Sequence, residues 1–319
     1  MASPEQSRRF PRNEPGSSAA RPEPANPTHD LLARLERAIG EIHDSASFRR
    51  YLDAQARFHE YSFGNVALIL SQRPDATAVA GYNAWLRLNR HVRKGEKAIR
   101  ILAPMSRKDE TEDGEQKYHL FFRAVSVFDV SQTEGEPLPE LPVPLLEGEA
   151  GGPLMERLLL VAQTEGVHVA LARGELPGSA AGAYWPAERT IRVRSGPMRQ
   201  MTKTLAHELG HHFHETRLGG ETESRAERET IAESVAYVVC SHYGLDTGER
   251  SFPYVATWAK EPLTFKAALQ SIQKLSATLI DRLDGRPAAH DDAGAEAETP
   301  GGGSGQGGTA GRKSLRRRG

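Results

Sequence analysis

The sequence predicts a protein of the α+β class with two domains, and three observations support this. The chain of 319 residues is longer than one typical domain. Apolar residues recur with helical spacing in some segments, whereas other segments are continuous β-prone runs. A segment rich in Pro, Gly and Glu, residues 134–152, separates the two groups of elements. We therefore predict a first domain at 28–133 and a second at 153–285, joined by that linker.

The first domain is predicted to contain three helices followed by two strands. Helical spacing relates apolar residues within 31–42, 48–58 and 66–70, and Pro74 ends the third helix. The face of the first helix is formed by Leu31, Leu32, Leu35, Ile39 and Ile42. The β-prone runs 97–104 and 117–130 flank a polar segment at 106–116. We predict an antiparallel pair of strands joined by a long charged loop.

The second domain is predicted to begin with a helix and to end with three more. The segments are a helix at 154–163, a strand at 168–173, a hairpin at 183–196, and helices after Pro197, at 224–243 and at 263–283. The last helix carries one broad apolar face formed by Phe265, Leu269, Ile272, Leu275, Leu279 and Ile280.

Both ends of the chain are predicted to be disordered, because they cannot bury enough apolar surface. Residues 1–27 are rich in Pro, Ser and charge, and residues 286–319 contain one large apolar residue, Leu315. The formal charge of −1 excludes a global attraction to polyanions, so any contact with nucleic acid must come from a local patch. Cys240 has no partner for an internal disulfide, and no segment is typical of a signal peptide or a membrane span. We expect a cytoplasmic protein with no membrane contact.

The stretch TLAHELGHHFHE, residues 204–215, predicts a metal site on a helix. His207 and His211 are four residues apart, so both imidazoles project from one helix face and reach one cation. Glu208 lies beside them. This is the His-Glu-x-x-His arrangement in which two histidines bind Zn²⁺ and the glutamate is the general base of a peptidase.

A second helix supplies the remaining groups that such a site needs. Glu229 and Glu233 are again four residues apart and share a face. We assign Glu229 to the metal and Glu233 to a hydrogen bond with a metal-binding imidazole, although the spacing also allows the reverse. The alternative is a solvated stripe of charge with no metal. Tyr184 and His242 are weaker candidates for stabilising an oxyanion, and the hairpin offers an edge strand to a peptide substrate.

A local basic segment in the first domain indicates a nucleic-acid surface. Residues 85–100 contain six Lys or Arg and one acidic residue, and aromatic residues lie nearby in the sequence. Proteins that bind single strands combine a basic groove with aromatic faces on which bases stack. The alternative is a solvated basic loop beside core aromatics. The residues predicted to contact DNA are Tyr61, Phe63, Asn65, Trp85, Arg90, Arg93, Lys94 and Lys97.

The segment 61–104, including Asn65, Trp85 and the run 92–97, resembles the N-terminal domain of ArdC-type antirestriction proteins. TLAHELGHH and ETIAESVAY resemble the metallopeptidase domain of the same proteins and, more distantly, the ImmA/IrrE family. The resemblance implies a zincin-like (gluzincin) second domain with Glu229 on Zn²⁺. It also implies binding of single-stranded DNA and an antirestriction role.

Three functions are consistent with these features. The one we favour is a metallopeptidase tethered to single-stranded DNA that cleaves a protein or peptide substrate. The second is a DNA-binding protein that protects incoming DNA and holds zinc without catalysis. The third is a regulatory protease resembling ImmA that cleaves a repressor.

Overall fold

The computed structural model describes residues 27–110, 116–138, 151–172, 176, 178–219, 223–247, 252 and 261–286, with the backbone alone at 108–110 and 116–118. Helices and small sheets are mixed along these residues, which confirms the predicted α+β class. The predicted N-terminal arm, nearly all of the C-terminal tail and most of the linker lie outside the described residues. None of the described helices is long and apolar enough to span a membrane.

The three predicted N-terminal helices are present, and their starts follow from capping side chains. They are α1 (Pro27–Gly40), α2 (Ser45–Arg57) and α3 (Phe63–Gln72). Asp44 and Ser47 form a reciprocal capping box at the start of α2, and Ser62 accepts a hydrogen bond from a backbone amide of α3. Leu32, predicted to lie on the apolar face of α1, is 45% exposed. The part of α1 that packs against the protein is narrower than the apolar face predicted from the sequence.

Eight strands in the described part of the chain form three small sheets. The N-terminal strands are β1 (Val79–Gly81), β2 (Arg90–Val92), β3 (Ile99–Glu110), β4 (Gln116–Asp129) and β5 (Thr133–Gly135). A short helix, α4 (Tyr82–Arg87), follows β1. One sheet has the order β1-β4-β3, and β2 pairs with β5. The predicted antiparallel pair is confirmed as β3 and β4, whereas β1, α4, β2 and β5 are too short for the sequence pattern to indicate.

The predicted long loop at 106–116 is wrong. Cross-strand pairing of β3 with β4 extends from Ile99 opposite Val127 to Glu110 opposite Gln116. Most of the segment assigned to the loop therefore continues the two strands as a ribbon. Polar residues are typical of a loop, but paired strands also accept them, because the hydrogen bonds between strands join backbone groups and not side chains.

The C-terminal elements follow the predicted order. They are α5 (Gly152–Thr164), β6 (His168–Ala172), β7 (Gly182–Trp185), β8 (Thr190–Arg194), α6 (Met198–Leu218), α7 (Arg225–His242) and α8 (Pro262–Leu283). β7 and β8 form the predicted antiparallel hairpin, and β6 runs parallel to β8. The sheet order β6-β8-β7 leaves β7 at an edge. The six residues of the predicted apolar face of α8 are all buried.

Helices α2 and α7 join the two halves of the chain through one continuous hydrophobic core. The Phe48 ring of α2 meets the Phe252 ring edge-on, with centroids 5.1 Å apart. The Tyr237 hydroxyl of α7 donates a hydrogen bond to Asp53 at 2.6 Å and accepts one from Arg49 at 3.1 Å. The helix that carries the two glutamates of the predicted site is thus anchored to the N-terminal half.

Candidate metal centre

Helices α6 and α7 cross closely at Gly210. A Cβ atom at this position would lie 3.3 Å from the Cα of Ala232 on α7. Any larger side chain would separate the helices, so the two small residues set the distance between the histidines of α6 and the glutamates of α7. Long-range packing, together with the spacing along each helix, thus brings the predicted groups to one place.

His207, His211 and Glu229 form a triangle of potential metal ligands. The Nε2 atoms of the two histidines are 3.1 Å apart, and the Oε2 atom of Glu229 lies 3.4 Å from His207 Nε2 and 3.6 Å from His211 Nε2. The point in their plane that is equidistant from the three atoms is about 2.0 Å from each, which is the length of a zinc–imidazole or zinc–carboxylate bond. The donor set therefore fits a small divalent cation.

Glu233 holds His207 from the side opposite to the triangle. Its Oε2 atom lies 3.4 Å from His207 Nδ1, and its Oε1 atom accepts a hydrogen bond of 2.6 Å from the Lys203 ammonium. A proton on Nδ1 leaves the lone pair of Nε2 facing the triangle, which is the tautomer that binds a metal. Lys203, which precedes His207 by one helical turn and shares its face, is not among the residues predicted from the sequence. The buried side chain of Lys203 has one described ion-pair partner, Glu233.

The electrostatics of the triangle favour a positive charge. Burial lowers the pKa of His207, but hydrogen bonds to Glu229 and Glu233 more than offset this and raise its pKa to about 9. Hydrogen bonds to His207 and His211 hold the pKa of Glu229 well below its usual range. The protein therefore stabilises a cation between these three side chains, and a divalent metal would replace the proton there.

Glu208 lies beside the triangle and is nearly buried. Burial raises the pKa of its carboxyl group. The nearby imidazoles of His207 and His211, and then a hydrogen bond from the backbone N–H of Tyr184 in β7, oppose that shift. Gly182 allows β7 to come this close: a Cβ there would lie 2.5 Å from Thr204 Cγ2 and 2.9 Å from Glu208 Oε1. The edge strand thus fixes the orientation of Glu208.

The triangle opens into a cleft of about 1130 Å³. One wall is the edge strand β7 with Tyr184, and the opposite wall is the start of α7. His214 also lies in this cleft, where its Nε2 atom is 2.7 Å from Glu223. A substrate can therefore reach the faces of the triangle and of Glu208 from solvent.

The two oxyanion candidates lie in different places. The Tyr184 hydroxyl is hydrogen bonded at 2.9 Å to Nδ1 of the buried His212, on the wall of the cleft. His242 is nine residues beyond Glu233 on α7, about 14 Å along the helix axis. Its Nδ1 donates to the backbone carbonyl of Ala56 at 2.8 Å, which rules out an oxyanion role in this conformation.

The predicted DNA-binding aromatics are largely structural. Trp85 is 2% exposed, and its indole N–H donates to a backbone carbonyl of β4, so the ring offers no face to a base. The Tyr61 hydroxyl donates to the carbonyl of Val79, and Phe63 packs against the core. Asn65 clamps β3 with two amide hydrogen bonds of 2.9 Å to the backbone of Leu102.

The predicted basic residues divide into two pairs. Arg90 is hydrogen bonded to the side chain of Thr133, and Arg93 to the backbone of Ser131 and to Glu96. Both arginines therefore hold β2 and its connections together. Lys94 and Lys97 are exposed, as is 46% of the Arg93 side chain. Three of the four predicted basic residues are therefore accessible to a ligand.

The N-terminal residues match a known protein family, and a longer stretch of the chain matches one curated protein. Residues 27–128 match the family model for the N-terminal domain of the anti-restriction factor ArdC. An uncharacterized protein of Bacillus anthracis is 28% identical over 264 residues, covering 70% of this chain and 45% of that protein. The chain thus spans less than half the length of that relative.

Two crystal structures of the antirestriction protein ArdC from plasmid R388 share the fold. The metal-free structure matches with a TM-score of 0.50 and 20% identity, covering 70% of this chain and 85% of that one. The Mn(II)-bound structure matches with a TM-score of 0.53 and 19% identity, covering 79% and 97%. The more distant resemblance to the ImmA/IrrE family stays a prediction. Residues 27–128 thus match the N-terminal domain of ArdC, and the fold of the chain is similar to that of ArdC from plasmid R388.

Proposed function

We propose that the chain is a metal-dependent peptidase of antirestriction type whose N-terminal half binds single-stranded DNA. The observation that carries the peptidase proposal is the triangle of His207, His211 and Glu229, with Glu208 beside it in an open cleft. Two imidazoles and one carboxylate are the ligand set of a peptidase zinc site, and three protein ligands leave a position open. We therefore propose Zn²⁺ as the metal, while the Mn(II) bound to the plasmid protein supports divalent metal binding more generally.

When bound, the metal supplies Lewis acidity, which lowers the pKa of a water molecule and polarises a peptide carbonyl. Glu208 takes the proton of the attacking water and delivers it to the leaving amine. Burial raises the pKa of this carboxyl group, which brings it closer to the value that suits a group acting in both directions. Glu233 keeps His207 in its metal-binding tautomer.

An extended peptide is the substrate that the cleft fits best. The edge strand β7 (Gly182–Trp185) forms the wall of the cleft next to Glu208. Its outer edge has no strand partner among the described residues. A peptide that pairs with such an edge is held by backbone hydrogen bonds, independently of its sequence. This supports a protein or peptide substrate and a zincin-like role for the second half.

The matched control for this proposal lies on the same helix. Glu208→Gln keeps the size of the side chain but removes the base, so we expect about one metal per chain and a loss of cleavage of about 100-fold or more. Glu215→Gln changes an exposed glutamate of α6 that also lines the cleft, and this variant should cleave like the wild type. The assay is cleavage of a fluorescence-quenched peptide library with added Zn²⁺ or Mn²⁺.

Unchanged cleavage by Glu208→Gln would contradict the peptidase proposal. The DNA-protecting alternative predicts another pair of results. The wild type should cleave no peptide, and the wild type and Glu208→Gln should protect DNA equally well from a restriction nuclease.

A further inference from the structure

The ribbon of β3 and β4 extends beyond the core and carries exposed aromatic side chains. We define the outer ribbon as residues 103–107 and 119–123. Leu120, Phe121 and Phe122 are 69%, 44% and 53% exposed. Adjacent bulky apolar side chains with this exposure are unusual on a monomer surface and indicate a binding surface.

The outer ribbon places one phenylalanine on each of its faces. Neighbouring residues of a strand point to opposite faces, and residues directly opposite across the pair share a face. Phe121 therefore shares a face with Met105, which pairs with it, and with Arg123, two residues along β4. The pair Arg107 and His119 extends this face.

The second face of the outer ribbon is apolar. Phe122 lies opposite Pro104, and Leu120 lies opposite Ser106. Across both faces, the ten residues of the outer ribbon include two arginines and one histidine and no acidic residue. This balance contrasts with the near-neutral charge of the whole chain.

The chemistry of this surface fits a single-stranded nucleic acid. Bases stack on exposed aromatic rings, while arginines beside those rings attract phosphates. The large exposed aromatics among the described side chains are Tyr82, Phe121 and Phe122, and two of these three are in the outer ribbon. The exposed Lys97 lies two residues before β3, and the strand from Ile99 to Arg107 is about 26 Å long. One bound strand of several nucleotides spans this distance.

We propose that single-stranded DNA binds along the face of the outer ribbon that carries Phe121, with a base stacked on Phe121 and phosphates held by Arg107 and Arg123. This inference rests on the proposed DNA binding of the N-terminal half. In this proposal the outer ribbon, and not the buried Trp85, provides the surface on which bases stack. The charge of the outer ribbon and its aromatic faces favour DNA over an apolar protein partner.

The test measures binding of a fluorescein-labelled oligothymidylate of about 20 nucleotides to the full chain by anisotropy at several salt concentrations. Phe121→Ala should weaken binding about 5- to 150-fold and leave the salt dependence unchanged, whereas Phe122→Ala, on the opposite face, should bind like the wild type. Arg107→Gln and Arg123→Gln should each lower the slope of log affinity against log salt by about 0.7. Leu160→Ala, a change at a 63% exposed leucine of α5, is the matched control and should bind like the wild type.

The outcomes separate this inference from the proposed function. If the wild type binds no oligonucleotide, both the DNA-binding function and the outer-ribbon site are wrong. If the wild type binds but Phe121→Ala binds equally well, the site alone is wrong, and Lys94→Gln should then be the weakening change. Unchanged DNA binding combined with slower cleavage of a protein substrate would also overturn the site, by showing that the ribbon contacts protein. Equal melting temperatures of all variants, expected for exposed positions, confirm that the comparison is between folded proteins.

Discussion

Replacing Glu233 by methionine should change two quantities that can be measured separately. These are the folding stability of the metal-free protein and the affinity of the candidate metal centre for zinc. The carboxylate of Glu233 pairs with the Lys203 ammonium at 2.6 Å and lies 3.4 Å from Nδ1 of His207. Glu233→Met keeps the length of the side chain but removes both contacts. Lys203 is then left with a side chain only 8% exposed and no described ion-pair partner.

Two effects of different size follow. Removing one member of a buried ion pair costs about 3 kcal/mol of folding stability, at the low end of the usual range because Glu233 is itself 24% exposed. Losing the carboxylate that orients a metal-binding histidine lowers metal affinity about 10- to 100-fold. Urea unfolding of the metal-free protein measures the first effect, and competition of the folded protein with a zinc chelator dye measures the second.

The double variant Lys203→Met, Glu233→Met distinguishes the two causes. An apolar pair of similar volume replaces the ion pair, so stability without metal should return to within about 1 kcal/mol of the wild type. Zinc affinity should stay low, because His207 still lacks its carboxylate. Wild-type zinc affinity in Glu233→Met, or recovery of affinity in the double variant, would refute the role assigned to Glu233.

Three further changes test other contacts. Tyr237→Phe removes the hydroxyl that donates to Asp53 at 2.6 Å, and should lower the free energy of unfolding in urea by about 1.5 kcal/mol. Burial lowers the pKa of His59 from 6.5 to about 4, so the unfolded chain binds a proton that the folded chain does not, and stability falls as the pH drops from 6.5 to 4. His59→Gln should remove about 3 kcal/mol of that loss in urea titrations across this range. Gly182→Ala pushes β7 away from Thr204, and should slow peptide cleavage about 10- to 100-fold with the metal content unchanged.

Each of these expectations has a contrary outcome. Equal stability of Tyr237→Phe would mean that its hydroxyl bonds as well to water as to the N-terminal half. If the stability difference between His59→Gln and the wild type stays constant from pH 6.5 to 4, then His59 binds its proton equally well in the folded and the unfolded protein. Full activity of Gly182→Ala would mean that the approach of the edge strand does not orient Glu208.

The groups of the metal centre could be predicted from the sequence because their spacing is local. His207 and His211, and again Glu229 and Glu233, are four residues apart, and a helix places such residues on one face. Lys203 could not be assigned a role in this way. Its burial depends on the packing of α6 against α7, which depends on tertiary contacts rather than on helical periodicity.

The surface that we propose for DNA was harder to predict, because residue type does not show whether an aromatic ring is buried or exposed. Trp85 and Phe121 are both aromatic residues near cations in the sequence, yet the first is 2% exposed and the second 44%. The polar composition of 106–116 predicted a loop, whereas strand pairing continues through most of it. Short strands such as β1 and β2 gain their stability from their partners, so their own sequences carry little signal.

The connection through α7 gives the two halves a physical link. Its first turns carry Glu229, and its last turns contact α2 through Tyr237 and His242. The closeness of these contacts predicts that the two halves unfold together. A single transition in urea, followed both by tryptophan fluorescence and by circular dichroism, would agree with this.

The most direct test of the account is the number of metal ions per chain, measured by elemental analysis after incubation with Zn²⁺ and removal of free metal. We expect about one zinc per chain in the wild type and in His214→Ala, which alters a neighbouring histidine outside the triangle. His207→Ala should hold none. A wild type that binds no zinc, or a His207→Ala variant that binds as much as the wild type, would contradict a metal centre built on His207, His211 and Glu229.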